Sequence, residues 1–383
     1  MFAGGEPPAL GMRHRNDNHD KGYLMQVHRT TTRGVAAALL TTAVGAAALV
    51  SPLSSARADD SPPISIGAGV RTSFDVTDPS GGKTVNDFNL DSIRLYVNGT
   101  VTEHIKFMFN TEYEGSPPAG NNSVQVLDAV GRFEFSDYLN VWAGRFLPPS
   151  DRANLYGPYY SNQWSVYKDG VQDGYPSTAV GRDNGLAYWG QFGMLKLSAG
   201  VFDVPGTTGS SKELYAARAQ VDLWDPEGGY YLNGTYYGDK DLLAIGLAGQ
   251  SSDTDHAYSA DFLLEKKLPN LGVISVESEY AKYDHLGGYA ADKSDGYYGL
   301  VSYLFPQVIG VGKFQLLGKY AHAKYRFDTS PIDDAQKTYN VEINYIIKQF
   351  NARLSLYYLD IKYDNDIVGR DNKQYGIGVQ LQM

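Results

Sequence analysis

The sequence predicts an all-β chain, a transmembrane antiparallel β-barrel of 16 strands with a long third loop folded inward. Three observations predict it. Apolar and polar residues alternate in runs of about ten, the length a tilted strand needs to cross a bilayer. Short turns and longer polar loops alternate between those runs. An export signal precedes them, and no later segment offers an apolar run long enough for a spanning helix.

Composition narrows the class first. The 383 residues include no cysteine, which excludes disulfide frameworks, thiolate metal sites and cysteine nucleophiles. Tyrosine occurs 30 times against 15 phenylalanines, and 42 glycines are spread without a collagen period. A formal charge of −10 speaks against a nucleic-acid partner, which needs a basic face. Hydrophobic residues at 43% lie near the globular norm, so disorder throughout is excluded.

From Met25 the chain reads as a signal peptide, residues 25–58. His28, Arg29 and Arg33 are its basic start, Gly34 to Val50 its apolar stretch, and Ala56-Arg57-Ala58 its small-x-small cleavage site. The alanine-rich stretch falls short of the ~20 apolar residues that a membrane anchor needs. Residues 1–24 precede a complete signal and read as an extension from a mis-annotated start codon. The barrel then occupies residues 59–383. Removal of six basic and three acidic residues leaves 27 and 40, a net charge of −13. The expected destination is the outer membrane of a bacterium, with its lipid as a partner.

The strands follow from period two, because side chains along a strand point alternately to opposite faces. Ile93, Leu95, Val97 and Val101 alternate with Ser92, Arg94, Tyr96, Asn98 and Thr100. Ile105, Phe107 and Phe109 alternate with Lys106, Met108 and Asn110. Tyr339, Val341, Ile343 and Tyr345 alternate with Asn340, Glu342 and Asn344. Ala352, Leu354, Leu356 and Tyr358 alternate with Arg353, Ser355 and Tyr357. Tyr375, Ile377, Val379 and Leu381 alternate with Gly376, Gly378, Gln380 and Gln382. Tyr113, Tyr280, Tyr345 and Tyr375 end their apolar phases, as aromatic girdles at two membrane interfaces would.

Thr102 to His104, Ser136 to Tyr138 and Asp225 to Gly229 read as short turns. Asp75 to Asn89, Gly115 to Ser123, Asp284 to Ser294 and Asp328 to Ala335 read as long loops. Asn98-Gly99 and Asn233-Gly234 look like hairpin signals, but both sit inside alternating runs and read as mid-strand. This segmentation gives 17 strands, whereas a barrel with both termini on one side needs an even number. Parity slips between Met194 and Tyr283, and the length of the barrel region fixes the expectation at 16.

One connection is out of scale. Leu147 to Arg182 shows no alternation and carries Pro148, Pro149, Tyr156, Tyr159, Tyr160, Trp164, Tyr167 and Tyr175. Long loops of this kind are usually functional, and folding it inward would bury its aromatic rings and narrow a pore. Here the chain resembles the phosphate-selective porin O and P family of bacterial outer membranes. The resemblance rests on SIRLYVNGTV (Ser92 to Val101), LNVWAGRFLPP (Leu139 to Pro149), GRDNGLAYWGQF (Gly181 to Phe192), LKLSAGVFD (Leu195 to Asp203), TYNVEINYII (Thr338 to Ile347) and ARLSLYY (Ala352 to Tyr358). It implies a 16-stranded homotrimer whose third loop folds inward, with phosphate or other small ions as solutes. Met383 departs from the terminal aromatic usual in such barrels.

The candidate pore-lining residues are Arg71, Arg94, Lys106, Arg132 and Arg218 on the polar phase of early strands. Arg145 ends its strand with an ambiguous phase, and Asp151, Arg152 and Lys168 come from the long connection. In one reading the bases form a wall that attracts anions, opposed by acids on the loop and in the C-terminal half. In the other, bases and acids pair across strands and keep the lumen wet. Only His104, His256, His285 and His322 follow the signal, none within a hydrolase or zinc spacing, and no Gly-x-Ser-x-Gly is present. No catalysis and no cofactor is expected. The expected function is an outer-membrane porin passing small hydrophilic solutes by diffusion; the alternative is a non-conducting barrel acting as adhesin or structural anchor.

Overall fold

The structure, a computed structural model, describes residues 63–114, 123–171, 181–203, 212–286 and 291–383. The signal-peptide and start-codon readings lie outside the described residues. The first eight strands are β1 (Ile64–Pro79), β2 (Val85–Thr100), β3 (Ile105–Glu114), β4 (Ser123–Ser136), β5 (Leu139–Phe146), β6 (Asp183–Phe192), β7 (Leu195–Asp203) and β8 (Glu213–Asp222). The rest are β9 (Leu242–Ser252), β10 (Asp255–Leu268), β11 (Gly272–Asp284), β12 (Lys293–Leu304), β13 (Lys313–Arg326), β14 (Asp334–Lys348), β15 (Ala352–Tyr363) and β16 (Asn372–Gln382).

Each strand pairs antiparallel with its sequence neighbours, and β1 closes on β16, with Val70 opposite Leu381 and Phe74 opposite Ile377. Closure leaves no unpaired edge, the condition a sheet must meet to sit in lipid. The alternating phases become two faces. Leu95, Leu247, Val341, Leu356 and Ile377 are exposed. Arg94, Gln220, Glu342, Arg353 and Gln380, on the opposite phase, are buried. This inverts the soluble pattern: the apolar face is outside and the polar face is enclosed. An exposed apolar surface of that extent needs an apolar surround.

Tyrosines pair across strands at one end of the barrel: Tyr280 with Tyr297, Tyr320 with Tyr339, and Tyr358 with Tyr375. At the other end the rings of Phe314 and Tyr345 lie 5.0 Å apart. Amphipathic rings gather at both ends, as interfacial girdles do.

Sixteen strands are present, and the extra one of the sequence count is identified. The run around Asn233-Gly234 forms no strand; residues 223–241 are a single connection between β8 and β9, which also absorbs the expected turn Asp225 to Gly229. It leaves from the same end as the short turns 101–104, 137–138 and 193–194. Conversely, β9 and β10 are joined at the long-loop end by a two-residue turn at Asp253 and Thr254, with Asp253 at φ 57°. The expected loop Asp75 to Asn89 is mostly strand, since Asp75 pairs with Asp87 and Val76 with Asn86. Asn98-Gly99 does lie within β2.

Candidate functional site

The connection from β5 to β6 spans 147–182, as the loss of alternation predicts. Its described part begins with a short helix, α1 (Arg152–Tyr156), capped by Asp151, whose Oδ1 accepts from the Asn154 amide at 2.9 Å. Gly157, at φ 63°, ends the helix. Asp151 is fully buried, and burial pushes its carboxyl up to about 6 against the bonds from Asn154.

From there the segment bonds to the buried polar face of strand after strand. The Arg152 amide donates to Asp261 on β10, the Tyr156 hydroxyl to Glu277 on β11, and Asn162 Nδ2 to Ser302 on β12. The Trp164 amide donates to both oxygens of Glu342 on β14, at 2.8 and 2.9 Å. Arg353 on β15 donates to the carbonyls of Ser161, Asn162 and Gln163. Asp169 meets Lys319 on β13 at 2.5 Å. Two strand glycines make room for its rings: a Cβ at Gly69 would overlap Tyr159, and one at Gly378 would overlap Trp164.

The 223–241 connection meets this segment from the opposite end. Glu227 binds Arg152 through two bonds, 2.9 Å from Nη1 and 2.5 Å from Nη2, and neither side chain is exposed. Burial alone would raise the Glu227 carboxyl, but Arg152, with Lys196 and the Tyr236 hydroxyl, overrides it and holds the group at about 2. Arg152 also donates to the Asn233 carbonyl, and the Tyr230 hydroxyl to that of Leu147. Glu265 of β10 clasps the same connection, accepting from Thr235 Oγ1 at 2.6 Å and from the amides of Tyr236 and Gly238. Buried polar groups are retained at this density only when each has partners.

The predicted residues divide accordingly. Arg94 pairs with Glu112 at 2.5 Å, and Lys106 and Arg132 share Glu134, at 2.8 and 3.8 Å. Arg218 grips Asp261 through two bonds and donates to the Ser150 carbonyl. Arg71 donates to the Trp164 carbonyl and lies 4.1 Å over its ring. Lys168 donates to Gln374. Arg145 is a correction: it faces exposed Ala129 and Asn184 across the ladder, on the outer phase, because it follows Val141 and Ala143 in register. Among the others, cross-strand pairing is the recurring arrangement. Glu227, Glu265 and Arg353 were not singled out. Arg353 was legible as a base on a polar phase, whereas Glu227, inside a supposed turn, carried no signal.

Among the described residues, two sizeable cavities bear on the site. One of about 500 Å³ runs beside β2, β3 and β4, bounded by Arg94, Tyr96, Asp128, Tyr160, Arg182 and Tyr231. A second, of about 630 Å³, opens at the short-turn end between Lys106, Glu134 and the 223–241 connection. For a metal, His285, Asp292 and Asp328 bring ligand atoms within 4.8 Å. Both ring nitrogens of His285 are already engaged, by Asp328 at 2.7 Å and Asp284 at 2.6 Å, and these bonds raise its pKa toward the imidazolium form. An imidazolium has no lone pair to give a metal.

A closed 16-stranded barrel with a polar interior has the architecture of the outer-membrane porins. No protein-family model matches the chain, and no curated protein matches it in sequence. Solved structures match its fold. The anion-selective porin from Comamonas acidovorans has a TM-score of 0.54 at 16% identity, covering 84% of this chain and 100% of its own. OmpF of Salmonella typhi, solved with daunomycin, gives 0.58 at 11%, covering 85% and 99%. The outer-membrane channel DcaP of Acinetobacter baumannii gives 0.51 at 13%, covering 86% and 100%.

Proposed function

We propose that this chain is an outer-membrane porin, a water-filled barrel passing small hydrophilic solutes by passive diffusion. The observation that carries this is the inverted face pattern: polar side chains enclosed by a sheet whose outer surface is apolar, with cavities left along one wall. The described part of the connection, residues 147–171, is the constriction, folded into the lumen and locked by the 223–241 connection. Selection by such a pore is a size filter combined with the charge pattern of its lining. The segment's bonds to β10, β11, β12, β13, β14 and β15 support this placement, because all reach the enclosed face.

Cleavage after Ala58 would leave β1 to start a few residues into the mature chain. The homotrimer implied by the family resemblance fits the fold, since one similar structure, OmpT of Vibrio cholerae, is described in a trimer form. The preference for phosphate that the resemblance also implies is not favoured by the lining, where Arg94, Lys106, Arg132 and Arg218 each face a carboxylate. Planar-bilayer recording tests the proposal. Discrete conductance steps support a porin; a silent bilayer containing folded protein supports the non-conducting anchor instead.

A further inference from the structure

The cavity beside β2 to β4 has a lining that selects a chemical class. Its rings are four tyrosines, Tyr96, Tyr156, Tyr160 and Tyr231, with Phe350 packed edge-on against Tyr160. Its hydrogen-bonding groups include the carboxamides of Asn98, Asn110 and Asn233. Asn110 donates to Asp128 at 2.9 Å, but its Oδ1 has no partner. The Asn98 and Asn233 side chains have no protein partner among the described residues, and both are half-buried. Half-buried amides without partners are acceptors and donors held ready for water or a solute.

The side-chain charges at this cavity are already matched. Arg94 is bonded to Glu112, and Arg182 lies 3.0 Å from Asp128, which also accepts from the Tyr231 hydroxyl at 2.8 Å. An anion entering here would have to displace a buried carboxylate from its arginine, and breaking such a pair is costly. A neutral solute meets no such cost. A pyranose ring presents an apolar C–H face that lies flat on a tyrosine ring, and its hydroxyls both donate and accept, as a carboxamide requires. The volume of about 500 Å³ lies within the range of small-molecule pockets. The cavity extends from Arg94 and Asp128 toward Asn351 and Met383 at the short-turn end, so it lies along a path rather than in a closed void.

We infer that this cavity is a binding subsite for a neutral, polyhydroxylated solute of sugar class, held between tyrosine rings and asparagine carboxamides. The inference rests on the porin reading and deepens it. The test is ionic current through single channels in a planar bilayer, with sucrose, glucose or inorganic phosphate added to the bath. Sucrose or glucose should interrupt the current in a concentration-dependent way, and phosphate at the same concentration should not. Tyr160→Ala and Asn98→Ala, each checked for folding by heat-modifiable gel mobility, should weaken the block about tenfold, the effect of losing one good contact. Wild-type channels that conduct normally but ignore both sugars, or that are blocked by phosphate instead, would overturn the inference and leave the porin reading intact. A folded wild type that never conducts would overturn the porin reading itself.

Discussion

Arg152 and Glu227 lie 75 residues apart in sequence and reach each other from opposite ends of the barrel, joined by two hydrogen bonds with no exposed surface on either side chain. Removing one partner from a buried pair leaves an uncompensated charge and costs about 3–5 kcal/mol, more than the pair itself contributes. Glu227→Gln should therefore loosen the junction, raise single-channel conductance and lower the temperature at which the barrel loses heat-modifiable mobility. The double replacement Arg152→Met with Glu227→Leu should cost less stability than Glu227→Gln alone. An equal or larger loss in the double variant would contradict this account of the junction.

The same cluster sets a pH dependence of two opposite signs. Glu227 is held at about 2, below its ordinary 4.5, so its stabilisation is present above pH 4.5 and lost as pH falls toward 2. Asp151 is raised from 3.8 to about 6, so its contribution is present below pH 3.8 and lost as pH rises through 6. Thermal unfolding of Glu227→Gln should lose the acid-side slope. Asp151→Asn should flatten the slope between pH 4 and 6, and unchanged slopes in both variants would remove these groups as its source.

Gly378 marks the place of the Trp164 ring. The Trp164 ring lies against Gly378 and stacks on Tyr357 with an interplanar angle of 14°. Gly378→Leu has no room for its side chain unless that ring leaves. The variant should fold, show red-shifted tryptophan emission and conduct more current. Unaltered emission would mean that Trp164 does not occupy that place.

On the outer face, Val341 lies near the middle of β14 and is exposed. A lipid-facing arginine at mid-membrane costs about 2–4 kcal/mol. Val341→Arg should lower folding stability in phospholipid vesicles by that order, read from urea titration, while Asn340→Ser on the enclosed face should cost much less. Equal costs would argue against a bilayer around this strand.

The barrel was legible because one physical demand, lipid outside and water inside, writes period two into every crossing strand. The pattern fades where that demand ends: β1 and β2 continue pairing through Asp75 and Asp87, where polar residues look like a loop. It misleads at Tyr230 to Tyr237. That run alternates, but its groups are satisfied by Leu147 and Glu265 rather than by neighbouring strands. Arg94, Arg152 and Arg218 could be named from phase and position. Glu112 and Asp261 follow from phase as well, and Glu112 faces Arg94 across the β2–β3 hairpin. Glu227 could not be named, because its pair with Arg152 joins two loops that only the closed fold brings together.

The proposed constriction is the 147–171 segment within the barrel, and a cross-link between it and β12 probes that placement. The chain has no native cysteine, so Asn162→Cys with Ser302→Cys supplies two unique thiols at positions whose side chains are 2.9 Å apart in the wild type. In folded protein a short bifunctional maleimide should join them within one chain, with conductance close to that of the unlinked channel. If both thiols instead react separately with a bulky water-soluble maleimide and no cross-link forms, the segment does not lie against β12 and the account of the pore is wrong.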